Sequence, residues 1–266
     1  MAVRFCSLAS GSDGNSFYIG TANTNILIDA GLSGKQIEKN LASIDVRADQ
    51  IDAIFITHEH ADHIKGAGIL SRRYNIPLYA TGGTWDYIES KEALGKIDRR
   101  NKRYVYSEEK CILNDMQIHP FEIPHDTIEP VAYSIYAYDH KICLATDIGH
   151  VTPVIKENLL DASAILLESN HDVEMLKDGP YPENLKRRIL GKKGHLSNHS
   201  AGELLCDIRT ERLQYVFLGH LSKENNCPTL AYNTVKAILE SNKISLSDFQ
   251  LHMAEHAIPC ELVEFV

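Results

Sequence analysis

The sequence predicts a layered α/β architecture, with β-sheets covered by helices. Three observations point there. Strand-like runs dominate both halves of the chain. Helical stretches alternate with them late in each half. The composition, 44% hydrophobic and 24% charged, is that of an ordinary globular protein. At 266 residues the chain fits one large domain, residues 1–266.

NSFYIGTANTNILIDAG reads as two short strands around a polar turn, with Asn15 and Gly31 as punctuation and Asp29 at the end of the second strand. A helix follows over Lys35–Ala42, then the apolar strand IDAIFIT. Apolar residues at near-helical spacing in HIKGAGILSRRYN predict one helix starting at His63. IPLYAT is a strand, a helix follows from about Thr84, and Lys96–Arg103 reads as a charged connection. KCILNDMQIHPFEIPHD and VAYSIYAYDHKICLATD read as antiparallel strands, the second a hairpin turning at Tyr138–Lys141. DASAILLES and LQYVFLGH are buried-looking strands, each preceded by a helical segment, and FQLHMAEH is expected to close the chain as a strand.

No apolar run reaches the roughly 20 residues that span a bilayer. The opening MAVRFCSLAS lacks a charged start followed by a long apolar segment, so a cytoplasmic protein with no membrane partner is expected. Six cysteines lie far apart with no CxxC pair, which predicts reduced, mostly buried thiols. A net charge of -9 argues against a protein that coats nucleic acid, yet leaves room for a local basic channel. Oligomeric state, a homodimer included, is not set by any of these features.

The chemistry concentrates in FITHEHADH, Phe55–His63. His58 and His60, two residues apart at a strand end, can point into one ligand set, and Asp62 and His63 follow on the turn into a helix. Four ligand-type groups spaced HxHxDH are too many for one closed tetrahedral site, and they suit two neighbouring metals completed from other strand ends. Three candidates end later strand-like runs: His125 after FEIP, Asp147 after KICLAT and His220 after YVFLG. Zinc, manganese and iron all suit His and Asp donors.

HEHADH together with His125, Asp147 and His220 resembles the metallo-β-lactamase fold superfamily, whose fold is an αββα sandwich with a binuclear site on one edge. The likeness runs the length of the chain. It implies His58, His60 and His125 on one ion, Asp62, His63 and His220 on the other, and Asp147 between them. Asp62 is accordingly counted as a catalytic residue as well as a ligand. Histidine at position 60, where the flavodiiron branch has glutamate, implies a hydrolase. SLASGSDGNSFYI, LLESNHDVEML, GHLSNHSAG and GHLSKENN are similar to the YycJ/WalJ subfamily of bacterial nucleases. The tRNA 3′-processing nucleases carry a glutamate and a histidine paired as a proton shuttle, and the matching residues are Glu168 and His195. The chain departs from those enzymes in having no long Gly/Pro-rich arm.

Lys186, Arg187, Arg188, Lys192 and Lys193 crowd positive charge just before His195, which predicts phosphate contacts, with Lys192 and Lys193 as substrate-binding residues. Arg72, Arg73 and the Arg99–Arg103 group are candidates for widening this track. Ser197 is expected to cap a helix over Asn198–Arg209. Ser222 and Asn225 are candidates for hydrogen bonds to a phosphate oxygen. SGSDGNS lacks the Lys and GKS/T ending of a phosphate loop and reads as a tight turn against the metal edge. Asp29 is expected to orient the HEHADH loop by hydrogen bonds. His171 and His199 are auxiliary candidates, whereas His119, His140, His150, His252 and His256 are expected to be ordinary surface or core residues.

Two metals about 3.5–4 Å apart would turn a bridging water into hydroxide, and His195, oriented by Glu168, would protonate the departing alkoxide. The reading is a metal-dependent phosphodiesterase acting as a 5′ to 3′ DNA exonuclease. Its alternatives are an RNA-end-processing or cyclic phosphodiesterase, an acyl ester, thioester or lactone hydrolase, and, from another class, a noncatalytic metal-dependent binding protein.

Overall fold

Alternation of buried side chains builds the molecule. In strand after strand, odd and even residues face different apolar layers, the period expected of strands buried on both faces. The computed structural model describes residues 1–266. Strands β1 (Val3–Ala9), β2 (Ser16–Gly20) and β3 (Asn25–Ile28) form a meander. Helix α1 (Gly34–Ala42), β4 (Ala53–Phe55), helices α2 (Ala61–Ile64) and α3 (Ala67–Tyr74), β5 (Leu78–Ala80), α4 (Gly82–Ser90) and β6 (Lys102–Tyr104) follow. The second half repeats the plan, with antiparallel β7 (Cys111–Leu113), β8 (Met116–Glu122), β9 (Val131–Ala137) and β10 (His140–Ala145). Then come α5 (Pro153–Leu159), β11 (Ala164–Glu168), α6 (Val173–Asp178), α7 (Glu183–Ile189), α8 (Asn198–Ile208), β12 (Tyr215–Gly219), α9 (Pro228–Ser241), β13 (Gln250–Met253) and β14 (Val263–Phe265).

One sheet runs β14-β1-β2-β3-β4-β5-β6 and the other β13-β12-β11-β10-β9-β8-β7. From β3 onward in the first, and from β10 to β13 in the second, neighbours are parallel. Parallel neighbours need crossover connections, and helices supply them here. Between the sheets lie Phe5, Phe17, Phe55, Tyr133, Phe217 and Phe265, with Phe5 and Phe217 ring centroids 5.0 Å apart. The opposite faces pack on helices: Leu27 and Ile54 share a cluster with Ile37 of α1 and Trp85 of α4, and Ile165 and Leu218 share one with Ile155 of α5, Leu205 of α8 and Val235 of α9. The result is the αββα sandwich expected from the sequence. Ligand sites in such folds form outside the carboxyl ends of parallel strands, and Asp29, Thr57, Asp147, Glu168 and His220 all lie at such ends.

Several expectations are corrected. The helix expected from His63 is two, broken at Lys65–Gly66, because the chain there presses on the loop after β3: a Cβ on Gly66 would sit 2.4 Å from the Leu32 carbonyl oxygen. The charged connection contains edge strand β6, its short span masked by exposed Arg103 and Tyr104. FQLHMAEH does not close the chain; β14 does, pairing antiparallel with β1. All six cysteines are free, but only Cys6 and Cys143 are buried. No helix is long and apolar enough to cross a membrane.

Phe217→Ala opens a void between the sheets, and urea unfolding of the metal-loaded protein is expected to show about 3–5 kcal/mol less stability, the usual range for a buried aromatic truncated to alanine.

Candidate metal centre and active site

Strand β3 ends by turning sharply at Asp29, which adopts a left-handed φ of 61°. Asp147 (φ 61°) and His220 (φ 56°) do the same after β10 and β12. Outside glycine this conformation is uncommon, with Asp and His among the residues that tolerate it, and it throws each side chain out of its sheet toward one edge.

Buried Asp29 fixes the HEHADH loop. Its Oδ1 accepts from the Thr57 backbone N–H at 2.8 Å, and its Oδ2 accepts from the Thr57 hydroxyl at 2.9 Å and from His63 Nδ1 at 2.7 Å. The Thr57 hydroxyl, having given its proton to Asp29, accepts from His58 Nδ1 at 3.0 Å. Both imidazoles therefore hold their protons on Nδ1 and turn Nε2 to the centre. The Gly11–Asn15 turn braces the loop's far side. Asn15 N–H donates to the Asp62 carbonyl at 2.7 Å, and a Cβ on Gly31 would sit 1.6 Å from that same oxygen, so only glycine admits the contact. The turn packs against the ligand loop, as its sequence suggested.

The other ligand-type side chains are held in the same manner. His125 Nδ1 donates to the Gly194 carbonyl at 3.3 Å, and His220 Nδ1 donates to Glu168 Oε1 at 2.8 Å. Glu168, fully buried, also accepts from His195 Nδ1 at 2.8 Å on Oε1, and from the Ile148 and Leu196 N–H groups on Oε2 at 2.7 and 3.0 Å. One carboxylate thus positions two histidines, and despite burial the pair draws its pKa down to about 2.

The freed atoms converge in two sets. His58 Nε2 and His125 Nε2 lie 3.1 and 3.3 Å from His60 Nδ1, three ring nitrogens with too few protons to satisfy one another. Asp62 Oδ2 lies 3.4 Å from His63 Nε2 and 3.7 Å from His220 Nε2. Asp147 stands between, Oδ2 3.2 Å from His63 Nε2 and Oδ1 3.6 Å from His125 Nε2 and from His220 Nδ1. Buried Asp147 Oδ2 and His220 Nε2 have no hydrogen-bond partner in the protein. Orphaned donors of this kind, all nitrogen or carboxylate oxygen, fit divalent metal. The grouped ligand atoms of each triad lie within 4.8 Å of one another.

The two sets differ electrostatically. Burial lowers the pKa of His58, His60 and His125, helped at His58 by the neighbouring His63 charge. His63 and His220 are also penalised by burial, but facing carboxylates outweigh it: Asp29, Asp62 and Asp147 hold His63 well above its usual value, and Asp147, Asp62 and Glu168 push His220 to about 10. Burial alone would raise Asp147, yet His220, His63 and His125 hold it well below the carboxylate range.

A cleft of about 220 Å³ opens on this edge, with His60, Asp62, Asp147, His195 and His220 on its floor. Ser222 also lines it, its hydroxyl accepting from the Asn225 N–H at 3.2 Å and so keeping its own proton to give. Asn225 does not line it; its carbonyl accepts from Asp172 N–H at 2.9 Å, and its side chain supports the Ser222 loop. Lys192 and Lys193 are exposed and lie outside the cleft, their backbone pressed against Gly149, where a Cβ would meet the Lys192 carbonyl oxygen at 2.3 Å. The expected basic track does not assemble either: Arg73 pairs with Glu38, Arg100 with Asp98 and Lys102 with Glu89, and Arg72 and Arg99 line a separate hollow. The basic side chain in the cleft is Arg188. His171 is buried, lining a neighbouring 660 Å³ hollow with His195, and His199 is exposed beside Glu203.

Residues 24–216 match the family described as a beta-lactamase superfamily domain. The chain is 37% identical to the exodeoxyribonuclease YycJ of Bacillus anthracis over 98% of its length and 99% of that protein. The chain belongs to this superfamily, in its YycJ/WalJ branch. It is also 42% identical to the exodeoxyribonuclease WalJ of Streptococcus pneumoniae, over 88% of this chain and 87% of that one. Among solved folds, the metallo-β-lactamase fold protein YhfI of Bacillus subtilis aligns with a TM-score of 0.73 over 97% of this chain and 98% of its own, at 14% identity. Zinc-bound PqqB of Methylobacterium extorquens aligns at 0.69 over 98% and 100%, at 15% identity. Both share the fold.

Sequence reasoning passed over Thr57, which joins Asp29 to His58, and Glu59, whose Oε1 accepts from the Ile128 N–H at 2.9 Å and ties the motif to the loop after His125. Position 59 within the motif was the only available signal for the latter.

Thr57→Val keeps the shape but removes the bridge to Asp29, and metal affinity measured by titration is expected to fall about 10- to 100-fold. Filling the Asp62, His63 and His220 set must displace the second ring protons of its two imidazoliums, whereas His58, His60 and His125 are neutral imidazoles at neutral pH. Calorimetry in buffers of different ionisation enthalpy should therefore show proton release confined to that set, with affinity rising as pH climbs toward about 10, where His220 loses its proton unaided.

Proposed function

We propose that the protein is a metal-dependent exodeoxyribonuclease that shortens DNA from 5′ to 3′. The observation that carries this is that both donor sets reach one cleft, through His60 and through Asp62 and His220, beside Asp147 and the Glu168-held His195. Similarity to relatives named exodeoxyribonucleases, along nearly the whole length of each, supports the substrate class. On this reading His58, His60 and His125 would hold one ion and Asp62, His63 and His220 the other, with Asp147 placed between the two sets. Zinc, manganese and iron all fit such donors. The ions, when bound, supply positive charge that lowers the pKa of a water and screens a phosphodiester.

The chain's own residues do the rest. Asp29, directly and through Thr57, and Glu168 keep four imidazole rings aimed without any rearrangement during the reaction. His195 keeps its Nδ1 proton on Glu168 and gives the Nε2 proton to the oxygen that leaves phosphorus. The Ser222 hydroxyl donates to a phosphate oxygen. On this reading residues 1–266 act as one domain in the cytoplasm, and every residue given a role here comes from one chain.

The test is a parallel assay of labelled duplex DNA, single-stranded DNA, RNA and bis-p-nitrophenyl phosphate with manganese- or zinc-loaded protein. Release of nucleotides from DNA is expected. His195→Ala should cut that rate about 100- to 10,000-fold at unchanged metal content, the range for loss of a general acid. Ester cleavage with no release from any nucleic acid would remove the nuclease reading.

A further inference from the structure

The floor of the cleft faces a wall that none of the metal-directed residues uses. It is formed by Tyr181, Leu185, Arg188 and Ile189. The last three lie on α7 at spacings of three and four, and so share one helix face. Ile189 is buried, Tyr181 and Leu185 are half-buried, and Arg188 is exposed. The wall is anchored. Asp172 caps α6 by accepting from the Glu174 and Met175 N–H groups at 3.1 and 2.9 Å, and a Cβ on Gly179 would lie 2.5 Å from Asn225 Oδ1, so the α6–α7 connection rests directly on the loop carrying Ser222. Across the mouth, Arg188 pairs with Asp126, the residue after His125.

We propose that this wall is the binding site for the terminal nucleotide of the strand being cut. Its base lies on the Tyr181 ring and the Leu185 and Ile189 side chains, and Arg188 takes an oxygen of the adjoining phosphate. The proposal rests on the exodeoxyribonuclease reading and names the part of the substrate the cleft recognises. An aromatic ledge suits an enzyme that must accept any base, because every base presents a π-face. The guanidinium fork matches phosphate geometry. Its present partner is a solvent-exposed carboxylate pair of little worth, so exchanging Asp126 for a phosphate costs little. At about 220 Å³ the cleft is smaller than the ~300–1,000 Å³ of common ligand pockets. That space suits a single base.

The experiment compares a single strand of DNA with a normal terminal nucleotide and the same strand ending in an abasic sugar. Wild type is expected to show a KM about 5- to 150-fold higher for the abasic end, the value of one base–aromatic stack. Tyr181→Ala should bring the normal end to the abasic KM and leave the abasic end unchanged. Tyr181→Phe should restore the difference. Arg188→Ala should raise KM for both ends alike, since both carry the phosphate. Unchanged metal content and melting temperature show that the variants are folded. Equal effects of Tyr181→Ala on the two ends, or equal KM for both ends in wild type, overturn the base site while leaving the nuclease reading intact. An unchanged KM in Arg188→Ala removes the phosphate contact. No cleavage of either strand by wild type overturns both the nuclease reading and this one.

Discussion

Two buried carboxylates, Asp29 and Glu168, govern the whole edge of the sandwich. Lone pairs and like charges packed together in a dry site repel one another, and without a second layer the histidines would rotate away. Asp29 takes the outer proton of His63 and, through Thr57, sets that of His58. Glu168 takes those of His220 and His195. Burial disfavours the charge of each; at Glu168 the hydrogen bonds and imidazoles outweigh it, whereas at Asp29 His63 and Thr57 offset only part of it and the carboxyl stays raised.

The fold explains why such residues meet. Each half of the chain makes an antiparallel meander followed by parallel strands with helical crossovers, and the parallel strands deliver their carboxyl ends to one edge. Three site residues leave those ends with left-handed backbone, a conformation with a steric cost outside glycine that the surrounding hydrogen bonds sustain. His125 differs, arriving from β8 in the antiparallel region, and is tied instead to the Gly194 carbonyl beside His195. The candidate acid and one donor set are thereby linked through the backbone as well as through Asp147.

The charge distribution follows from the same economy. The chain carries a net charge of -9, and several arginines and lysines of the expected track pair with local carboxylates. On the proposed reading, recognition depends on a few contacts lining a small cleft, Arg188 and Ser222 among them. Gly149 lets the Lys192–Lys193 loop pack closely, which fixes Gly194 and His195 but leaves both lysine side chains in solvent. That loop shapes the site through its backbone.

The sequence by itself determined the layered α/β class, the strand runs and the positions of the ligand-type residues, because strand periodicity and the HxHxDH spacing are local patterns written within a few residues. It also placed Asp29 behind the motif, Ser197 at the helix cap and Glu168 with His195, the last through family resemblance. It did not reveal the closing strand β14, whose three residues become a strand only by pairing with β1 at the other end of the chain. Nor did it show that Lys192 and Lys193 point away while Tyr181 and Arg188 line the cleft. Side-chain direction in a loop depends on what presses against its backbone, and here that is Gly149 and Asn225, far away in sequence, so only the tertiary structure decided it.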